Sequence, residues 1–128
     1  MVLSKAIGQY QQVGVETALM NATPHRLIQM LYEGLLSNLS SLRGALSNQQ
    51  NDLASMHIKK ASNILMGLEE GLDFDKGGEI AINLRNLYDY MQRELIGLQV
   101  SADDQRVERL IDLVVEIKSA WDEIEPKE

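Results

Sequence analysis

Apolar residues recur along most of this chain in steps of three and four. Between Thr23 and about Leu46 they fall at Leu27, Leu31, Leu35, Leu39, Leu42 and Leu46. From about Asp52 to Leu72 the series is Ala54, Ile58, Ala61, Leu65, Leu68 and Leu72. A third runs Ile80, Leu84, Leu87, Met91, Leu95 and Leu98 between Gly78 and about Val100, and a fourth runs Val107, Leu110, Val114, Ile117, Trp121 and Ile124 from about Asp103. Such spacing returns one side chain per turn to the same face of an α-helix. Each series therefore predicts one amphipathic helix of about 20–24 residues, roughly 30–36 Å long at 1.5 Å per residue.

Polar and special residues punctuate the stripes where helices should begin and end. Thr23-Pro24 reads as an N-cap followed by proline at the first helical position, where its missing N–H costs nothing. Ser47 to Asn51 is a polar break, and Asp73 to Gly78 reads as a turn with glycine free to take positive φ. Ser101-Ala102-Asp103-Asp104 has the spacing of a capping box. Four helices of similar length joined by short connections specify an all-α, antiparallel up-down four-helix bundle over residues 23–124. Before it, Leu3, Ile7 and Tyr10 sit at helical spacing until Gly14 interrupts, so residues 1–22 read as a short N-terminal amphipathic helix and linker that pack on the bundle part of the time, with a disordered tail as the alternative. Residues 125–128 read as a tail.

Composition narrows the function. The 128 residues carry 12 Lys+Arg against 19 Asp+Glu, a formal charge of −7. That balance argues against nucleic acid, whose phosphates need clustered cations. The absence of Cys removes disulfides, thiolate metal sites and Cys nucleophiles. No stretch approaches the roughly 18 uninterrupted apolar residues of a membrane span, and no signal peptide is visible in the first twenty residues. A soluble cytoplasmic protein with no membrane insertion is expected.

The sequence offers little to a cofactor or a reaction. A di-metal site in a bundle needs Glu-x-x-His on facing helices, and no Glu stands three residues before His25 or His57. The turn at Asp73 imitates a calcium loop but has Gly77 at the fifth position and Leu84 at the twelfth, so it lacks two ligands. His57-Ile58-Lys59-Lys60-Ala61-Ser62 resembles the His-x-x-Lys-Gly-Ser run of histidine phosphotransfer domains, in which an exposed imidazole accepts a phosphoryl group. Here Ala61 replaces the glycine and Lys59 takes a position that is normally apolar. Phosphotransfer through His57 remains the alternative to a non-enzymatic binding function without cofactors.

Two features point to binding. Glycine in a helix costs about 0.5–1 kcal/mol relative to Ala, yet Gly34, Gly44, Gly67, Gly71 and Gly97 stand in the predicted helices. Gly67 and Gly71, one turn apart beside Ile64 and Leu68, suggest a shallow apolar groove, with close packing inside the bundle as the competing reading. The apolar positions also exceed one stripe, with Ile28, Tyr32 and Leu36 on the first helix, Tyr88 and Tyr90 on the third, and Ile111, Leu113 and Val115 on the fourth. Surplus apolar area beside six Met suggests helix-in-groove binding of an amphipathic peptide.

Tyr10 followed by Ala22-Thr23-Pro24-His25-Arg26-Leu27-Ile28-Gln29-Met30-Leu31-Tyr32-Glu33-Gly34 resembles the opening signature of the flagellin export chaperones, the FliS family. The likeness continues through Ile58, Ala61, Ile64, Leu68 and Leu72-Asp73. It extends through the run from Gly77 to Met91, with Asn83, Leu87 and Tyr90 inside it, and ends at Trp121. The resemblance implies a cytoplasmic chaperone of type III flagellar secretion whose grooves take the disordered C-terminal segment of flagellin, prevent premature polymerisation and help present the client to the export gate. It also implies that Ile7 and Tyr10 matter for the flagellin-binding region. The candidate flagellin-binding residues are accordingly Ile7, Tyr10, Ile64, Gly67, Leu68, Gly71, Asn83, Leu87 and Tyr90. A homodimer is compatible with this sequence.

Overall fold

A computed structural model describes residues 23–124, which form four helices. They are α1 (Pro24–Ser47), α2 (Asn51–Glu70), α3 (Phe74–Val100) and α4 (Asp104–Asp122). The N-terminal helix expected over residues 1–22, with its candidate residues Ile7 and Tyr10, lies outside the described residues, as does the tail 125–128. Along α1 the Thr23 hydroxyl accepts from the Arg26 amide at 3.1 Å, with Pro24 opening the first turn. The chain leaves α1 through Gln49, a non-glycine residue at φ 57°, so that Gln50 N–H reaches Ala45 O at 2.9 Å.

Two boundaries differ from the sequence reading. The capping box expected at Ser101 does not form. Ser101 ends α3, and the Asp103 carboxylate caps α4 by accepting from Gln105 N–H at 2.9 Å. The turn expected over Asp73–Gly78 is itself the first turn of α3, because the Asp73 carboxylate accepts from Lys76 N–H at 3.1 Å and starts a helix there. Gly78 then interrupts α3 with φ 51° and ψ −123°, a conformation that essentially only glycine adopts.

α1 packs along both α2 and α4, and α2 packs along α3. α3 meets α4 over only a short stretch. The core is mostly Leu, Ile, Ala and Val from all four helices, with Tyr32, Tyr88 and Met91 filling the larger spaces. Full burial of each Leu, Ile, Val or Met side chain contributes about 1.5–3 kcal/mol. Among the described residues Asn38 is the one buried residue of polar type. It is 7% exposed and donates to Gly34 O at 3.0 Å, and its side-chain carbonyl accepts from His57 Nδ1 at 3.0 Å. Further ties link neighbours: Ser62 with Gln92 between α2 and α3, Arg43 with Glu108 and Gln29 with Asp122 between α1 and α4.

The short contact between α3 and α4 lies next to their connection. Glu94 and Arg106 form an ion pair there at 3.2 Å, and the Arg106 guanidinium occupies the space where a side chain at Gly97 would stand. Gly97 is therefore a packing glycine that lets an arginine cross its helix. Away from this pin the two helices separate, and burial on α4 ends early. Val107, Leu110 and Val114 are buried, whereas Ile117 and Trp121 are half-buried and Ile124 is 50% exposed.

Candidate functional site: an apolar groove at the open end of the bundle

Where α3 and α4 separate, the continuing apolar stripes have no partner helix among the described residues. Leu84 and Leu87 of α3 and Leu113, Ile117 and Trp121 of α4 are half-buried, and Ile80 is 71% exposed. They line a groove of about 470 Å³ with Ala120, Glu116 and Ile124 on the α4 side and Tyr32 of α1 at its base. From Leu113 to the end of α4 at Asp122 the wall measures about 14 Å at 1.5 Å per residue, room for about two to three helical turns. A second cleft of about 440 Å³ continues it around the end of the bundle. Tyr32, Ile80, Leu84 and Trp121 belong to both, and Ile28, Leu68, Gly71, Leu72 and the turn from Asp73 to Gly77 enclose the rest.

Trp121, the sole tryptophan, stands at the junction of the two clefts and is held from α1. Its indole stacks on the His25 imidazole with ring centroids 4.8 Å apart and planes 13° from parallel. His25 Nε2 donates to Trp121 O at 3.0 Å, and Trp121 Nε1 donates back to His25 O at 3.1 Å. This reciprocal clasp closes α1 onto α4 at the end where α3 has swung away. At the edge of the second cleft, Phe74 in the first turn of α3 lies under the Arg85 guanidinium, 5.4 Å from the ring centroid.

The groove brings together some of the residues expected to form the site. Leu87 lines it, Leu68 and Gly71 line the connected cleft, and Gly71 closes α2 with φ −80° at the cleft mouth. Ile64, 1% exposed, and Gly67 are buried in the bundle and line neither cleft, because that face of α2 turns toward the core. The glycine pair is thus divided, Gly67 buried outside both clefts and Gly71 exposed at the cleft mouth. Asn83 and Tyr90 are exposed on α3, one turn to either side of Leu87, outside the lining of both clefts. Tyr32, Leu84, Leu113, Ile117, Trp121 and Ile124 in the groove and Ile28 in the connected cleft line the site without having been candidates. Their signal was present, since Ile28, Tyr32 and Leu113 are among the surplus apolar positions and the others stand at one end of their stripes.

The two histidines serve structure. His25 belongs to the clasp, and His57 is half-buried with its Nδ1 on Asn38. Desolvation, reinforced by the nearby Lys60, holds the His57 imidazole below its ordinary pKa. Among the described residues no three His, Cys, Asp or Glu side chains group to hold a metal, and no helix is long and apolar enough to cross a membrane.

Known proteins resemble this chain over nearly its whole length. The family described as Flagellar protein FliS matches residues 6–128. The flagellar secretion chaperone FliSB of Pseudomonas aeruginosa is 43% identical over 124 residues, covering 97% of this chain and 98% of that protein. The flagellar secretion chaperone FliS of Salmonella typhimurium is 43% identical over 130 residues, covering 99% and 95%. That of Vibrio cholerae is 34% identical over 118 residues, covering 92% and 87%.

Proposed function

The chain belongs to the FliS family, a family of flagellar secretion chaperones and not of enzymes, and on that premise we propose that it captures the C-terminal segment of flagellin as a helix in the groove between α3 and α4. The observation that carries the proposal is the preformed apolar trough whose walls include Ile80, Leu84, Leu87, Leu113, Ile117, Trp121 and Ile124. A disordered segment that folds on binding loses about 1–2 kcal/mol of backbone entropy per ordered residue. A rigid apolar surface offsets that loss, and about two to three turns of helix bring enough apolar side chains to cover it. Bound in this way in the cytosol, flagellin is kept from premature polymerisation and passed to the export gate. Leu3, Ile7 and Tyr10 have a place in the same proposal, covering part of the groove until the client displaces them.

The test measures retention of a flagellin C-terminal peptide by the full chain. Ile80→Glu and Ile124→Glu place charges at exposed positions of the groove and should weaken retention while leaving helicity unchanged. Undiminished retention by both variants would place the binding site elsewhere. Deleting residues 1–14 should change the peptide affinity, and an unchanged affinity with an unchanged fold removes the covering role of the N-terminal residues.

A further inference from the structure

The base of the groove contains a polar element that, among the described residues, has one unused hydrogen. Tyr32 of α1 and Tyr88 of α3 are each 2% exposed, and their hydroxyl oxygens lie 2.6 Å apart across the bundle. Both side chains line the cleft around Gly71 and Trp121, and Tyr32 lines the α3–α4 groove as well. Two phenols carry two hydroxyl hydrogens, and a single O···O hydrogen bond uses one. Burial raises the pKa of both phenols, so both remain protonated at neutral pH. Among the described residues neither hydroxyl makes another hydrogen bond.

We propose that the Tyr32–Tyr88 pair selects the bound segment by donating its spare hydrogen to a side-chain oxygen, of Ser, Thr, Asn or Gln, on the segment's otherwise apolar face. This rests on the reading of the groove as the flagellin site. The pair keeps this hydrogen beside free oxygen lone pairs, and since an unpaired buried donor is the costlier of the two, an acceptor on the segment is what satisfies it. A neutral oxygen fits better than a carboxylate, because an ion in this trough would lose its hydration for one hydrogen bond. A purely apolar helix would leave the hydrogen as unpaired as it is in the free protein, whereas a segment bearing an oxygen gains the bond, and that difference is the selection. The pair thus places one polar requirement within a surface that otherwise accepts any apolar side chain.

The test uses the full chain, the flagellin C-terminal peptide and the variants Tyr32→Phe, Tyr88→Phe and the double variant. Each single variant retains one hydroxyl hydrogen and should keep most of the affinity. The double variant has no donor and leaves the peptide's oxygen unpaired, so its affinity should fall about 5- to 150-fold. Its thermal midpoint should stay level or rise, because two Phe rings of the same shape leave no orphaned donor in the free protein. The proposal is overturned if the double variant binds as tightly as the wild type. It is overturned equally if affinity and midpoint fall together, which would make the pair a packing element only. Failure of the wild type to retain the peptide instead overturns the flagellin reading itself.

Discussion

Replacing His25 by Ala should loosen the groove wall through Trp121. The substitution removes the stack on the indole, 4.8 Å between centroids, and the Nε2–H···O bond to Trp121 O. The return bond from Trp121 Nε1 ends on a main-chain carbonyl and is not removed directly. An aromatic pair contributes about 0.5–1.5 kcal/mol and a hydrogen bond of this kind about the same. The site is half-buried, so the expected loss lies near the lower part of that sum, about 1–2 kcal/mol. For a chain of this size that corresponds to a midpoint lowered by roughly 3–8 °C. Trp121 is the sole tryptophan, so its emission reports the same event, and a shift to longer wavelength is expected as the indole gains water. His25→Phe keeps a ring to stack and should fall between wild type and Ala in both readouts. The reasoning is refuted if His25→Ala leaves emission and midpoint at their wild-type values.

Backbone positions give two predictions of opposite sign. Gly78→Ala should destabilise the chain by about 1–3 kcal/mol, since φ 51° with ψ −123° strains any side chain, whereas Gln49→Gly should stabilise it by about 1 kcal/mol by relieving its left-handed conformation. Urea titrations measure both, and equal stabilities would contradict the backbone assignment. Gly67→Leu should unfold the bundle because Gly67 is buried, while Gly71→Leu should keep circular dichroism intact and weaken peptide retention at the cleft mouth. Reversed behaviour would relocate the groove. His57 has a folded pKa below its unfolded value, so the folded state binds fewer protons. Its contribution to stability is then complete above the unfolded pKa of about 6.5 and is lost as pH falls toward the folded value. Comparing unfolding free energies of wild type and His57→Gln from pH 7.5 to 5 should show the smaller loss in the variant, and parallel curves would contradict the assignment.

The repeating three-four spacing determined the helices, their number and their antiparallel order, because a helix registers its own periodicity locally and short connections leave adjacent helices few ways to pack. Thr23-Pro24 fixed the start of α1 for the same local reason, and the glycines at 77 and 78 announced a special backbone, although whether Asp73 capped a helix or began a turn was settled only in three dimensions. The family was also legible, since the motif runs are contiguous in the chain. The groove was not. Ile117, Trp121 and Ile124 continue the stripe of Val107, Leu110 and Val114 without a change of spacing. Periodicity states which residues share a face, whereas burial depends on whether another helix covers it. In the folded chain α3 meets α4 over only a short stretch, with the Glu94–Arg106 pair beside Gly97 near their connection, so the far ends of both stripes are left partly uncovered. Tertiary packing likewise divided Gly67 from Gly71 and brought Tyr32 within 2.6 Å of Tyr88 across 56 positions of chain, a juxtaposition no local spacing encodes.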